Sequence, residues 1–162
     1  MDFRLFSDRL AEDNALLEKL RSQRVDTATL TKIERIMVRD ILVLMVTCYQ
    51  ENVKDAVMVK VKRHSNNNEE ISKFISKRIK KVNMKIDDLC ALLSSFNNTY
   101  SDRFTRQLTS RDEKESYGSI LLGRINVAHD DGTNIEIGSL YGAQLAHQHA
   151  KNLLTKFEAS LW

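Results

Sequence analysis

The chain has 162 residues, of which 42% are apolar and 29% charged, a composition typical of one soluble globular domain. It contains no proline, whereas ordinary usage of ~5% predicts about eight, and its five glycines all lie between Gly118 and Gly142. Because β-sandwiches and doubly wound α/β folds need more turn residues, this composition argues against them. We expect a single all-α domain over residues 1–162, a bundle of about five to seven helices.

The charge of the chain is unevenly distributed around a net value of +3. Residues 54–111 carry 13 basic and 6 acidic side chains, a net charge of +7, whereas residues 1–53 and 112–162 carry −1 and −3. This pattern has two interpretations. The basic region is either a track for a polyanion such as RNA or a solvated helix face balanced by acidic ends.

The cysteines and the apolar segments predict a reduced, cytoplasmic protein without a membrane span. Both cysteines, Cys48 and Cys90, lie inside apolar helical runs, as buried free thiols do. The charged N-terminal segment MDFRLFSDRLAEDN lacks the apolar region of a signal peptide. The longest apolar stretch, Ile41 to Tyr49, is far shorter than the ~20 residues that cross a bilayer.

Apolar residues recur every three or four positions through most of the chain, which predicts successive amphipathic helices. In the first, over residues 2–21, Asp13 occupies an expected apolar position. The second is apolar nearly all round between Ile41 and Cys48, so we expect it to be the most buried element. This second helix is predicted over residues 29–63. The other predicted elements are a basic helix (70–82), helices over 87–96 and 110–129, a helix starting at Ser139, a brief segment around Phe104 and Leu108, and an extended stretch at 134–137.

The segment LLGRINVAHDDG, residues 121–132, holds the chemistry-bearing pair of the sequence, Arg124 and His129. Five helical residues turn the chain by ~500°, so the two side chains point about 140° apart on an ideal helix. Two copies meeting along this edge would pool two arginines and two histidines in one cleft. The alternative interpretation is a surface arginine and a histidine that caps a helix end.

An arginine–histidine set suits the cleavage of RNA without a metal ion. The imidazole of His129, with an ordinary pKa near ~6.5, can take the proton from a ribose 2′-OH or return one to the leaving oxygen. The guanidinium of Arg124 offers permanently charged donors to a pentavalent phosphorane. The attack of the 2′-oxygen would leave a 2′,3′-cyclic phosphate and a 5′-OH.

The stretch GRINVAHDDG resembles the R-x4-H signature of the HEPN superfamily, usually Arg-Asn-x-x-Ala-His-Gly. The buried run ILVLMVTCYQE, residues 41–51, and the order of the helices are similar to its RiboL-PSP branch. The resemblance implies a helical bundle that dimerises to build a shared endoribonuclease site without metal or cofactor. Such proteins act as toxins or in phage defence by cutting tRNA or other RNA, and an antitoxin or regulatory partner is then expected.

The match to this signature carries Arg124 and His129 over directly, but its neighbours depart from the family pattern. Ile125 stands where a polar residue normally follows the arginine, and Asn126 comes one position later. Asp130 replaces the small residue after the histidine, where it would raise the pKa of His129 or repel RNA. Asn126, Asp130 and Glu51 are therefore candidate supporting residues, Glu51 either orienting the site or forming an internal ion pair. The departures leave a second hypothesis, an inactive HEPN-like module that binds RNA, a nucleotide or a partner protein.

Weaker candidates lie elsewhere in the chain. His147 and His149 are ~200° apart on a helix and cannot share a metal ion, so we expect no metal site. A row of basic residues on the third helix would guide RNA toward the cleft, although a solvated helix face is the default interpretation. These residues are Lys73, Lys77, Arg78, Lys80 and Lys81.

Overall fold

The computed structural model describes residues 3–79, 83–128 and 137–162, and these residues form seven α-helices and no strand. The all-α prediction is confirmed for this part of the chain. The helices are α1 (Arg4–Ser22), α2 (Thr27–His64), α3 (Glu69–Ile79), α4 (Ile86–Ser94), α5 (Asn98–Gln107), α6 (Arg111–Ala128) and α7 (Leu140–Ser160).

Helix α2 is the central element of the bundle, and it contacts α1, α3, α6 and α7. Its first turn is capped by Asp26, whose carboxylate accepts a hydrogen bond of 2.9 Å from the backbone N–H of Thr29. Ile41, Leu42 and Met45 are fully buried. These contacts confirm the predicted central position of the helix. The prediction that it is the most buried element is wrong, because Val43 and Thr47 of the same run are exposed and a larger share of α7 is buried.

Helices α6 and α7 form an antiparallel pair against α2. Lys156, near the end of α7, donates to the carboxylate of Glu113, near the start of α6, over 2.6 Å. Farther along α6, Gly123 lies so close to α2 that a Cβ there would be 2.7 Å from Cδ1 of Leu42. The missing side chain of Gly123 therefore lets α6 pack tightly against α2, immediately before Arg124.

Helices α3, α4 and α5 form the other side of the molecule. The side chain of Asn68 caps α3 by accepting from the N–H of Ile71 over 3.1 Å. Helix α3 packs on α2 and buries only Ile79 among its residues, whereas α4 packs on α5, and α5 packs on α7. The brief segment predicted around Phe104 is a helix of ten residues, capped at its start by the side chain of Asn97.

Two further predictions concern the polar position of α1 and the extended stretch. Asp13 is buried, as its position on the apolar face requires, and the guanidinium Nε of Arg9 lies 3.2 Å from its carboxylate. The stretch predicted at 134–137 lies outside the described residues except for Ile137, which is buried and not helical. The end predicted for the preceding helix at Asp130 to Gly132 also lies outside them.

Candidate functional site

Arg124 lies on α6 one turn before the helix ends, and its side chain is exposed to solvent. The helix starts at Arg111, where the hydroxyl of Ser110 accepts from the N–H of Glu113 over 3.3 Å. Contact with α2 at Gly123 fixes the position of the next residue, Arg124, at the edge of the α2–α6 packing. A permanently charged guanidinium is thus presented to solvent from a rigid element.

Arg124 is one of the residues that line a groove between α2, α6 and the segment that leads into α4. The groove has a volume of about 480 Å³, and its lining includes Val46, Gln50, Asn83, Met84, Leu121 and Arg124. We refer to it as the α2–α6 groove. Two large apolar side chains in its lining are exposed, Leu122 by 54% and Ile125 by 45%. The surface around Arg124 therefore combines one cation with apolar area that is free to bind another molecule.

The other half of the predicted catalytic pair, His129, lies outside the described residues, as does Asp130. Asn126 is described and half-buried on α6. It lies two positions after Arg124, or ~200° around an ideal helix, so the two side chains leave the helix in different directions. The described structure thus places the arginine of the motif at the groove and separates Asn126 from it.

Glu51 is exposed on α2, and its carboxylate accepts a hydrogen bond of 2.7 Å from Lys54 one turn later. This bond to Glu51 raises the pKa of Lys54 above its ordinary value. Glu51 is not among the residues that line the α2–α6 groove, although its neighbour Gln50 is. The side chain is therefore engaged in the internal ion pair that the sequence left open as one of its two roles.

The basic residues predicted to guide RNA are exposed on α3 where the structure describes them. Lys73 pairs with Glu69 over 3.4 Å, and Lys77 and Arg78 lie in the last turn. The guanidinium carbon of Arg78 lies 5.8 Å from the ring centre of Phe74, an aromatic side chain that is 58% exposed. An exposed ring next to cations is a combination that single-stranded nucleic acids bind. Lys80 and Lys81 lie outside the described residues.

The two histidines of α7 face different helices, as the helical spacing predicts. Nδ1 of His147 lies 2.9 Å from the hydroxyl of Tyr49 on α2, whereas Nδ1 of His149 lies 3.3 Å from the hydroxyl of Ser116 on α6. Burial, with the charge of Lys151, lowers the pKa of His147 to about 4. In the described parts of the chain, no group of three or more histidine, cysteine, aspartate or glutamate side chains is arranged to hold a metal ion.

The burial of His147 and the lining of the groove were not predicted from the sequence. His147 stands four residues after the buried Ala143 and three before the buried Ala150 on α7, which is the signal that could have indicated its burial. Gln50 and Asn83 are polar residues in different elements, and no sequence pattern joins them. They line one groove only because α2 and α6 lie beside the segment that precedes α4.

The apolar content of the helices and the similarity of the chain to known proteins complete the description. None of the helices within 3–79, 83–128 and 137–162 has both the length and the apolar content needed to cross a bilayer. Comparison with protein-family models, with curated proteins and with solved structures gave no match to this chain.

Proposed function

We propose that the protein is a metal-independent endoribonuclease of the toxin or phage-defence type. The observation that carries the proposal is the Arg124-x4-His129 motif, which resembles the HEPN signature and whose arginine is exposed near the end of α6 beside an open groove. A buried or fully paired arginine would have argued against this role. Arg124 instead stands where a phosphate of a bound RNA strand can reach it.

The proposed reaction uses the RNA itself as the nucleophile. His129 removes the proton from a ribose 2′-OH, and the 2′-oxygen attacks the adjacent phosphorus while the bond from phosphorus to the 5′-oxygen breaks. A proton, returned from imidazolium, goes to the leaving 5′-oxygen. Arg124 donates hydrogen bonds to the non-bridging oxygens, whose charge grows in the phosphorane. The products are a 2′,3′-cyclic phosphate and a 5′-OH, and no cofactor takes part.

The site is proposed to be shared across a homodimer. An ideal helix would direct Arg124 and His129 about 140° apart, so one copy alone does not direct both groups to one phosphate. Two copies that meet along α6 would bring an arginine of one copy to a histidine of the other. The exposed apolar side chains Leu122 and Ile125, which flank Arg124, support contact with a second copy at this edge.

The substrate proposed is RNA, with tRNA as one candidate, and the compartment is the cytoplasm. The basic, aromatic end of α3 at Phe74, Lys77 and Arg78 supports the binding of a polyanion with exposed bases. A toxin of this kind also needs an antitoxin or another regulatory partner protein. Its expression alone should therefore slow growth, and His129→Ala should relieve the effect.

A second candidate function is an inactive HEPN-like module that binds RNA, a nucleotide or a partner protein. The observation in its favour is Ile125, which is 45% exposed at the position where the family signature has a polar residue. An exposed apolar side chain at that place suits contact with another molecule better than it suits catalysis. The two candidates differ in one result, because only the enzyme cuts RNA.

The experiment that tests the proposal is incubation of the purified protein with RNA in EDTA. We expect cleavage by the wild type and none by Arg124→Ala or His129→Ala. Arg106→Ala, an exposed arginine on α5, and His149→Ala, a half-buried histidine on α7, are the matched controls and should cleave normally. Circular dichroism should show the same helical content for all five proteins. Absence of cleavage by the folded wild type would favour the binding module.

A further inference from the structure

The α2–α6 groove next to Arg124 combines an apolar interior with the side-chain amides of Gln50 and Asn83. We propose that it binds one unstacked nucleobase of the RNA strand whose phosphate lies at Arg124. The proposal rests on the proposed function in assigning the phosphate to Arg124. It adds a base-binding subsite and makes unpaired rather than double-stranded RNA the substrate class.

The interior of the groove offers apolar area suited to the flat faces of a base. Its accessible apolar lining consists of Ile86 and Leu121, which are half-buried, and of Leu122 and Ile125, which are exposed. A base that leaves its stack exposes two apolar faces to water, and contact with such side chains covers them again. The volume of about 480 Å³ lies in the range of pockets that hold small molecules, so one nucleotide fits and a duplex does not.

The edge of the groove offers the hydrogen-bonding groups that read a base. Gln50 on α2 and Asn83 before α4 both line it, and each amide carries a donor and an acceptor. Asp87 adds acceptors to the lining. Single-stranded RNA is recognised in this way, through apolar contact with the faces of a base and hydrogen bonds to its edge.

The charges around the groove favour a ligand with an attached phosphate over a neutral apolar partner. Arg124 and Lys85 both line it, whereas Asp87 is its acidic group. A nucleotide matches this arrangement, since its phosphate pairs with the cations while its base enters the apolar interior. An apolar helix of a partner protein would cover Arg124 and Lys85 without offering an anionic group to either.

Gly118 provides a way to test the groove without touching the catalytic residues. It lines the groove on α6, and a Cβ added there would meet no atom within 4 Å. Gly118→Leu therefore adds a bulky apolar group to the lining of the groove, whereas Gly118→Ala adds one methyl group and leaves most of the space open. Both changes remove a helix-interior glycine, which favours folding by up to about 1 kcal/mol.

The experiment is a calorimetric titration with the 3′-monophosphates of adenosine, guanosine, cytidine and uridine, and with ribose 5-phosphate as the base-free probe. We expect at least one nucleotide to bind the wild type roughly tenfold more tightly than ribose 5-phosphate, as one base contact predicts. Gly118→Leu should lose that tenfold preference, and Gly118→Ala should keep it. Equal affinity of the wild type for all five probes, or an undiminished preference in Gly118→Leu, would overturn the proposal.

The variant Gln50→Leu and a measurement of the molecular mass in solution separate the remaining explanations. If Gly118→Leu does not fold, Gln50→Leu should lower the nucleotide preference severalfold, and no loss would overturn the subsite. If Gly118→Leu converts a dimer into monomers without changing nucleotide binding, the groove belongs to contact between copies and the proposal is wrong. Nucleotide binding needs no cleavage, so a base-dependent affinity in a protein that cuts nothing would retain the subsite and refute the ribonuclease. Cleavage of RNA by Gly118→Leu at the wild-type rate would retain the ribonuclease and refute the base-binding subsite.

Discussion

The hydroxyl of Tyr49 lies 2.9 Å from Nδ1 of His147, and this hydrogen bond joins α2 to α7 in the interior of the bundle. The two rings stack with their centres 5.9 Å apart, and the ring of Phe3 meets His147 edge-on at 5.2 Å. His147 is only 6% exposed. An imidazolium would bring a charge into this aromatic layer, so the folded protein holds His147 neutral.

His147 therefore makes the stability of the protein dependent on pH. Its pKa is about 4 in the folded state and 6.5 in an exposed histidine, so between these values the unfolded chain binds the extra proton. The free energy of unfolding should be constant with respect to this group above pH 6.5 and should fall as the pH decreases, by about 3 kcal/mol near pH 4. Urea titrations of the wild type and of His147→Gln would measure this, because the variant lacks the dependence.

The control for this prediction is His149→Gln, two residues away on the same helix. His149 is half-buried, and its partner is the hydroxyl of Ser116. This variant should keep the decrease in stability between pH 6.5 and pH 4. An equal pH dependence in the wild type and His147→Gln would show that other groups cause it.

The ion pair of Glu113 and Lys156 should contribute measurably to the α6–α7 packing. The two atoms are 2.6 Å apart, and the side chain of Glu113 is only 11% exposed. Lys156→Met leaves this carboxylate buried without its cation, which should reduce the free energy of unfolding by about 2–3 kcal/mol. Chemical denaturation measures the loss, and Glu113→Gln combined with Lys156→Met should recover part of it.

The matched control for that pair is Arg111→Met on the same helix. Arg111 bonds to Glu115, but their side chains are 86% and 58% exposed. Exposed pairs one turn apart on a helix contribute about 0.3–0.5 kcal/mol, so this change should be small. A larger loss for Arg111→Met than for Lys156→Met would contradict the argument from burial.

The basic end of α3 should contribute to RNA affinity through charge. Replacing Lys77 and Arg78 with glutamine should weaken the binding of a single-stranded oligoribonucleotide and lower the slope of log affinity against log salt by about 1 to 2. The control removes two cations from α1 by changing Lys19 and Arg21, both exposed, to glutamine. Fluorescence anisotropy over a range of salt concentrations measures both slopes. Equal losses in the two double variants would indicate a nonspecific effect of net charge.

A mixture of two inactive variants tests whether the site is shared. Arg124→Ala keeps His129, and His129→Ala keeps Arg124, so a mixed dimer contains one complete arginine–histidine set contributed by both copies. Unfolding the two proteins together and refolding them should restore part of the cleavage activity. Each variant refolded alone is the control and should remain inactive. A mixture without activity, although mixed dimers are present by mass, would mean that each site is built within one chain.

The sequence predicted the long, apolar helix α2 better than it predicted α5. For α2 the predicted span of 29–63 and the observed Thr27–His64 differ by two residues or fewer at each end, because the cap and the long apolar run are local signals. Helix α5 has few apolar residues and buries only Phe104, so its own sequence gives a weak signal for a packed helix. Packing between α4 and α7 supports that helix, and such support is not visible in a local pattern.

The candidate site was predictable only in its motif residues. The spacing from His129 singles out Arg124 in the sequence, and the structure shows its side chain exposed on α6. The groove beside it is lined by Gln50, Asn83 and Leu121, which lie far apart in the sequence and come together only through helix packing. Buried His147 shows the same limit, since its partner Tyr49 is 98 residues away.

The measurement that tests the central claim most directly is the identity of the RNA ends formed in EDTA. Attack by the 2′-oxygen predicts 2′,3′-cyclic phosphate and 5′-OH ends with the wild type, and neither product with His129→Ala. It also predicts that an oligonucleotide with 2′-deoxyribose at the cleaved position remains intact. Products with 5′-phosphate ends, or cleavage at the deoxy position, would contradict the proposed role of Arg124 and His129.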